Sequence, residues 1–257
     1  MFNLNYGLWY YLSNDLGLIS ESWQYVLLTA GFVVIAMAAG YFLGSINSAI
    51  IISKLMFRDD IRKHGSGNAG MTNMLRTYGF AAGALTVLGD LLKTVIAIFI
   101  GAVLGGFGYL GGISVGGMTC DFPLTYIAGF FAVIGHVYPI YYGFKGGKGV
   151  LCTATMALVL SPIEFALLLL LFVGVVYTSR YISLGSVTVA VLYPVAVHGH
   201  LTVLGLPENG VMALITILLA IFIVYLHREN LKRISEGTER KFSIKKSSKK
   251  TNGDNTK

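Results

Sequence analysis

Apolar runs of about 20 residues recur along this chain, and each is long enough to cross the hydrocarbon core of a bilayer as a helix. Composition agrees. Apolar residues make up 55% of the 257 and charged residues only 12%, about half the charge that a soluble domain carries. The expected fold is therefore an all-α polytopic membrane protein. That context removes one tempting reading. Gly65-x-Gly67-x-x-Gly70 fits the G-x-G-x-x-G fingerprint of dinucleotide-binding domains, but the fingerprint has meaning only after a strand in a soluble βαβ unit. Here it follows a membrane helix and a polar loop.

The apolar pattern predicts about seven spans, near 25–56, 80–104, 123–142, 150–160, 163–178, 184–197 and 211–227. The first is long enough to include a polar, kinked end at Gly44-Ser45-Ile46-Asn47, and the fourth is short enough to need tilt or protein cover. With the N-terminus outside, Lys54, Arg58, Arg62, Lys63, Arg76, Lys145, Lys148 and Arg180 fall on inner loops. Ten further Lys and Arg follow in the C-terminal segment from Arg228 to Lys257. Asp15, Glu21, Asp121, Glu164 and Glu208 fall outside with no basic residue beside them, and only Lys93 lies within a span. This sorting predicts a cytoplasmic C-terminus. The expected organisation is an interfacial leader over 1–24, with Trp9, Tyr10, Tyr11 and Trp23 suited to the membrane interface. A membrane domain over 25–240 and a basic, disordered tail over 241–257 follow. The leader lacks the basic start and clean apolar core of a signal peptide. Weak attraction of the tail to anionic lipid is the alternative to plain solvation.

Two inner loops are chemically unusual. Loop one places Ser66, Asn68, Thr72 and Asn73 among three glycines, with Arg62 and Arg76 at its flanks. Glycines, Gly67 among them, let successive N–H groups converge on an anion, and a helix capped by Thr72 or Asn73 would add its N-terminus. Loop two, GFKGGKGV over 143–150, is not a phosphate-binding Walker loop, because Gly149 stands where Ser or Thr would bind magnesium. Even so, Gly146, Gly147 and Gly149 interleave with Lys145 and Lys148, which again joins open N–H groups to positive charge. The plain alternatives are a flexible Gly-Ser linker for loop one and a positive-inside loop with breaker glycines for loop two.

Other polar residues have two readings each. Asp90 and Lys93, three apart on one helix face, form either a helix-locking ion pair or part of a site. His136 is a bonded core histidine or a site member. Ser183 and Ser186 open a helix on the inner side, where a capping role is the default for one of them. His227 and Asn230 share a face at the end of the last helix. His198 and His200 lie at the far end, away from the basic loops. Cys120 and Cys152 suggest no disulfide framework, and no His/Cys/Asp set has metal-ligand spacing, so neither metal nor cofactor is expected. The H-x-x-x-x-D mark of acyl-CoA glycerolipid acyltransferases is absent. Nothing suggests a nucleic-acid partner.

Taken in order, GSINSAIIISKL, DIRKHGSGNAGMTNMLRTYG, LGDLLK, GHVYPIYYGFKGGKGV, RYISLGS and HRENLKRISEGTE resemble the bacterial acyl-phosphate:glycerol-3-phosphate acyltransferase family. Asn47 and Thr94 depart from the family pattern, which frequently has Pro and Gly there. The resemblance implies that an acyl phosphate gives its chain to the sn-1 hydroxyl of glycerol 3-phosphate. The products would be lysophosphatidic acid and phosphate, the first step of phospholipid synthesis. It carries substrate-contacting roles to Ser66, Arg76, Lys148, Ser186, His227 and Asn230. It matches the GFKGGKG glycines to a glycerol-3-phosphate motif and Glu239 to a late acidic residue that ties in the tail. The expected partners are glycerol 3-phosphate, acyl phosphate and membrane lipid. A transporter of an organic phosphate is the competing reading, and broken helices near the midplane would favour it.

Overall fold

The computed structural model describes residues 7–19, 21–106, 113–115, 118–120, 123–205 and 209–242. It is a helical bundle. Helix α1 (Gly7–Tyr10) continues as a π-helical turn and leads to α2 (Ser22–Ser45), α3 (Ser48–Phe57), α4 (Met71–Tyr78) and α5 (Phe80–Gly105). Then come α6 (Leu124–Val137), α7 (Val150–Leu160), α8 (Pro162–Ser179), α9 (Ile182–Leu204), α10 (Gly210–Leu226) and α11 (Arg228–Ser235). The glycine-rich stretch between α5 and α6 lies largely outside the described residues. Within it, Ile113–Val115 pairs antiparallel with Met118–Cys120, so a short hairpin qualifies the all-α expectation. Most of the basic tail lies outside the described residues too.

Among the described residues, five helical stretches are long and apolar enough to cross a membrane, and a sixth forms if α10 and α11 count as one broken span bent by 52°. With eleven residues, α7 is too short to cross alone, since a helix rises about 1.5 Å per residue. The protein is a multi-pass membrane protein on this count. Apolar faces of α2 and α8 are largely exposed, as lipid-facing helices require.

Close backbone packing holds the centre. A side chain at Gly40 or Gly44 of α2 would overlap the backbones of Ala128 and Ala132 on α6, and one at Gly135 would overlap Tyr41 and Ser45. Lipid tails are as apolar as leucine, so helix association here depends on such small-residue contacts. The break expected at 44–47 is real: α2 ends at Ser45, and Asn47 caps α3 by accepting from the Ile50 N–H at 3.1 Å.

Trp9, in the expected interfacial leader, is buried, its ring tilted against Tyr25, with its indole N–H donating to Thr29 at 2.9 Å. The third expected span matches the apolar stretch Leu124–Tyr142, within which α6 ends at Val137 and Tyr138-Pro139 leads into a 3₁₀ turn, Ile140–Tyr142. The sixth runs to Leu204 rather than 197. Its extra turns stay helical because His198 meets Thr216 at 3.3 Å and His200 pairs with the buried Glu164.

Candidate active site

Loops one and two, the α8–α9 turn and α11 gather at one end of the bundle. In loop one, Gly65 and Gly67 have φ of 60° and 71°, the left-handed region that a side chain disfavours. The turn closes on Asn73. Its amide donates to the carbonyls of Ile61, His64 and Asn68 at 3.3, 2.9 and 3.1 Å, and its Oδ1 accepts from the Ser66 N–H at 3.2 Å. Asn73 is buried and fully used, so it shapes the loop and has nothing left for a ligand. The Gly67 N–H is also spent, on His64 at 2.9 Å. The expected anion nest is therefore narrower than the glycine pattern suggests.

What loop one leaves open is different. Neither Thr72 nor Asn73 caps α4. The N-cap is Gly70 with no side-chain cap, so first-turn N–H groups are available. The Ser66 hydroxyl is exposed, and Arg76 is exposed with no hydrogen bond or ion pair among the described residues. Arg62 is not available in that way. Its guanidinium grips Asp60 at 2.7–3.2 Å and donates to the carbonyls of Tyr142 and Lys145 at 2.7 and 3.3 Å. This clamp fastens loop one to loop two. The Arg62 hydrogen bonds hold the Asp60 carboxyl down at about 2.

Loop two lies back on the end of α6. The N–H groups of Gly146 and Gly147 donate to Val137 and His136 at 3.0 and 3.1 Å. Gly149, at φ 75°, is the N-cap of α7, again with no side-chain cap. Both loops thus end in an uncapped helix N-terminus, where partial positive charge favours an anion. Lys145 points to solvent, whereas Lys148 is partly buried and donates to Asn230 Oδ1. Burial pulls the Lys148 ammonium down to about 8.

Asn230 passes the contact on. Its amide donates to Glu239 at 2.7 Å, and Glu239 also accepts from Ser183 at 2.8 Å and Arg233 at 2.8 Å. Burial acts to raise the Glu239 carboxyl, but these three donors outweigh it and hold the group below the usual carboxylate range. At the α10–α11 bend, His227 Nδ1 lies 2.8 Å from the Ile223 carbonyl. A carbonyl only accepts, so Nδ1 carries a proton, and Nε2 is the nitrogen that can accept when the ring is neutral. Ser186 is buried one turn past Ser183, with its hydroxyl on the Ile182 carbonyl at 3.0 Å.

Asp90, Lys93 and His136 sit below the loops as one buried cluster. Lys93 Nζ reaches Asp90 at 2.8 Å, His136 Nδ1 at 3.0 Å and the Ile46 carbonyl at 2.9 Å. Sequence reading points to neither Asp60 nor Arg233, the latter entering only as one of the basic residues of the C-terminal segment. The usable signal was an acidic residue two or six positions from an inner-side arginine. No group of three His, Cys, Asp or Glu among the described residues could hold a metal.

Gly147 gives a direct prediction. An added methyl would overlap the His136 ring and press on the Ala69 carbonyl, so loop two must shift. Gly147→Ala is expected to raise KM for a phosphate-bearing substrate held by loop two about tenfold, a displacement effect on binding geometry. An unchanged KM in steady-state assays would take that phosphate away from this loop.

Positive charge and open helix ends meet at one end of the bundle, with the His227 imidazole on an adjoining helix end. That combination defines an integral membrane enzyme that transfers a group between phosphate-bearing substrates. The chain belongs to the glycerol-3-phosphate acyltransferase family, whose family model matches residues 34–237. A glycerol-3-phosphate acyltransferase of Syntrophomonas wolfei is 42% identical over 205 residues, covering 80% of this chain and 94% of that protein. Two crystal structures of PlsY (YgiH), an integral membrane glycerol 3-phosphate acyltransferase, also match. Its glycerol 3-phosphate form has a TM-score of 0.68 and 32% identity, covering 82% of this chain and 96% of that one. Its lysophosphatidic acid form has a TM-score of 0.67 and 31% identity, with coverage of 82% and 95%.

Proposed function

We propose that this chain transfers the acyl group of an acyl phosphate to the sn-1 hydroxyl of glycerol 3-phosphate, releasing lysophosphatidic acid and inorganic phosphate. The observation that carries this reading is the pair of uncapped helix N-termini, one directly after Lys148 and the other on the short helix whose last turn carries the exposed Arg76. Two phosphates must be held at once, and two such places are offered. The related PlsY structures are in a glycerol 3-phosphate form and a lysophosphatidic acid form, the acceptor and the product of this reaction.

The donor is a mixed anhydride whose leaving group is already good. The protein's work is to align hydroxyl and carbonyl and to stabilise charge on the departing phosphate. Ser66, Arg76 and the α4 N-terminus, with Asn68 and Thr72, take the acyl phosphate. Lys148 and loop two take glycerol 3-phosphate, with Ser186 on the neighbouring helix. His227 Nε2 accepts from, or orients, the attacking hydroxyl. The lipid donor has an approach as well. An apolar groove of about 440 Å³ lies between α9 and α10, lined by Val191, Pro194, Ile217, Ala220, Ile221, Val224 and Tyr225, close to His227 in the chain.

The deciding assay is purified protein with labelled glycerol 3-phosphate and either palmitoyl phosphate or palmitoyl-CoA. Turnover with the acyl phosphate alone is expected. Equal turnover of the thioester would overturn the choice of donor. A pH profile adds to this. Lys148 is protonated below about 8 in the free enzyme and loses its charge above. kcat/KM for glycerol 3-phosphate, which reports the free enzyme, should therefore fall as pH rises through 8. kcat, measured with phosphate bound, should hold to higher pH. A flat kcat/KM between pH 7 and 9.5 would mean that Lys148 charge is not used.

The proposed topology is seven spans with the N-terminus outside, α7 being the short one covered by protein, in a bacterial inner membrane with the site facing the cytoplasm. A cysteine placed at Leu18 should react with an impermeant reagent in intact cells, and one placed at Lys63 should not. The reverse pattern would invert the orientation.

A further inference from the structure

The Asp90–Lys93–His136 cluster is too costly to be incidental. It places a carboxylate and an ammonium, each at 5% exposure or less, inside a membrane bundle. The cluster reaches out in two directions.

One arm runs to loop two. His136 Nδ1 lies 3.0 Å from Lys93 Nζ and 3.6 Å from Asp90 Oδ1, and the Nε2 edge of the buried ring faces Gly147. That edge of the ring packs directly on Gly147, and the His136 carbonyl accepts the Gly147 N–H. The other arm runs to loop one. Lys93 donates to the Ile46 carbonyl at the break between α2 and α3. The next residue, Asn47, donates through Nδ2 to the Ala69 carbonyl at 3.4 Å. Ser48, opening α3, donates to Asp90 at 3.0 Å. The Ala69 carbonyl in turn lies beside Gly147, so the two arms close a ring around the contact between the loops.

We propose that Asp90, Lys93 and His136, acting with Asn47, are positioning residues that fix the spacing between the two phosphate loops. They touch neither substrate. They set how far the bound hydroxyl lies from the bound acyl carbonyl. This rests on the acyltransferase reading above, and it explains why a break in the first span matters to the reaction: the break frees the Ile46 carbonyl that Lys93 grips. Misplacement by about 1 Å can cost a reaction on the order of 10²-fold, so a small slackening of this ring should be read in kcat.

The test uses the full chain in detergent with acyl phosphate and glycerol 3-phosphate. His136→Asn keeps an acceptor near Lys93 but removes the ring edge at Gly147. Asn47→Ala cuts the other arm and leaves the buried charges alone. Each is expected to lower kcat per folded molecule by about ten- to a hundredfold. The double variant should fall no more than about threefold below the worse single, because both open the same ring. A purely structural role would lower Tm and leave kcat per folded molecule at the wild-type value, which would overturn the proposal. Effects that multiply in the double variant would overturn it too, since the arms would then be independent. If His136→Asn does not fold, wild-type kcat in Asn47→Ala still sinks the idea. Failure of the wild-type chain to use acyl phosphate would count against the proposed reaction instead. The ring would then be judged by calorimetry, where His136→Asn is expected to weaken glycerol 3-phosphate binding and an unchanged Kd would reject it.

Discussion

Arg76→Lys is expected to lower kcat/KM by about 10²–10³-fold while expression and Tm stay near wild type, the range seen when one transition-state donor is lost. The argument begins from exposure. Arg76 lies on α4, six residues after the Gly70 N-cap, and forms no internal bond among the described residues. Its removal therefore orphans nothing in the fold. A lysine satisfies the positive-inside rule equally well, so topology is preserved. What lysine lacks is the planar, two-pronged donor set that matches phosphate oxygens. The variant separates charge from geometry. Near wild-type kcat/KM in a well-expressed Arg76→Lys protein would take Arg76 out of the site.

Glu239→Ala should be nearly as damaging, by another route. Its carboxylate collects Ser183, Asn230 and Arg233 and belongs to none of the spans. Without it, Asn230 loses its anchor and Lys148 loses the group that orients it. We expect about a 10²-fold fall in kcat/KM through misplaced Lys148. A stability loss of about 2–3 kcal/mol should accompany it, since hydrogen bonds to a charged group are each worth about 1.5–3 kcal/mol and one edge of this carboxylate is open. Glu239→Gln keeps one accepting oxygen and should fall between the two. Activity within threefold of wild type in Glu239→Ala would show that the chain from Lys148 to the tail is not needed for turnover.

The spans were legible because hydrophobic runs answer to the bilayer and not to partners. The fifth expected helix, 163–178, appears as Pro162–Ser179. The break at Asn47 was legible for the same reason, as polar residues interrupting an apolar run. The residue types of the site were readable too, but their assignments were less so. Arg62 and Arg76 look equivalent in the sequence, yet Asp60 and two loop-two carbonyls consume the first and leave the second free. Thr72 and Asn73 look like caps, yet Asn73 turns inward to close the loop. These choices depend on carbonyls up to 83 residues away, and no local pattern encodes them. A separation of 36 residues likewise hid the pairing of Glu164 with His200 on α9.

The Lys148 contact has a consequence for biogenesis. Its partner Asn230, that partner's anchor Glu239, and the Phe242 N–H that fastens this segment to Arg180 at 2.7 Å all come from residues beyond α10. A ribosome makes them after all of α2–α10. During synthesis, when the N-terminal part of a chain folds first, the lysine that would hold substrate therefore lacks its orienting partner. Chains cut before α11 are expected to insert but to turn over no substrate, which an activity assay on a membrane-inserted truncation checks.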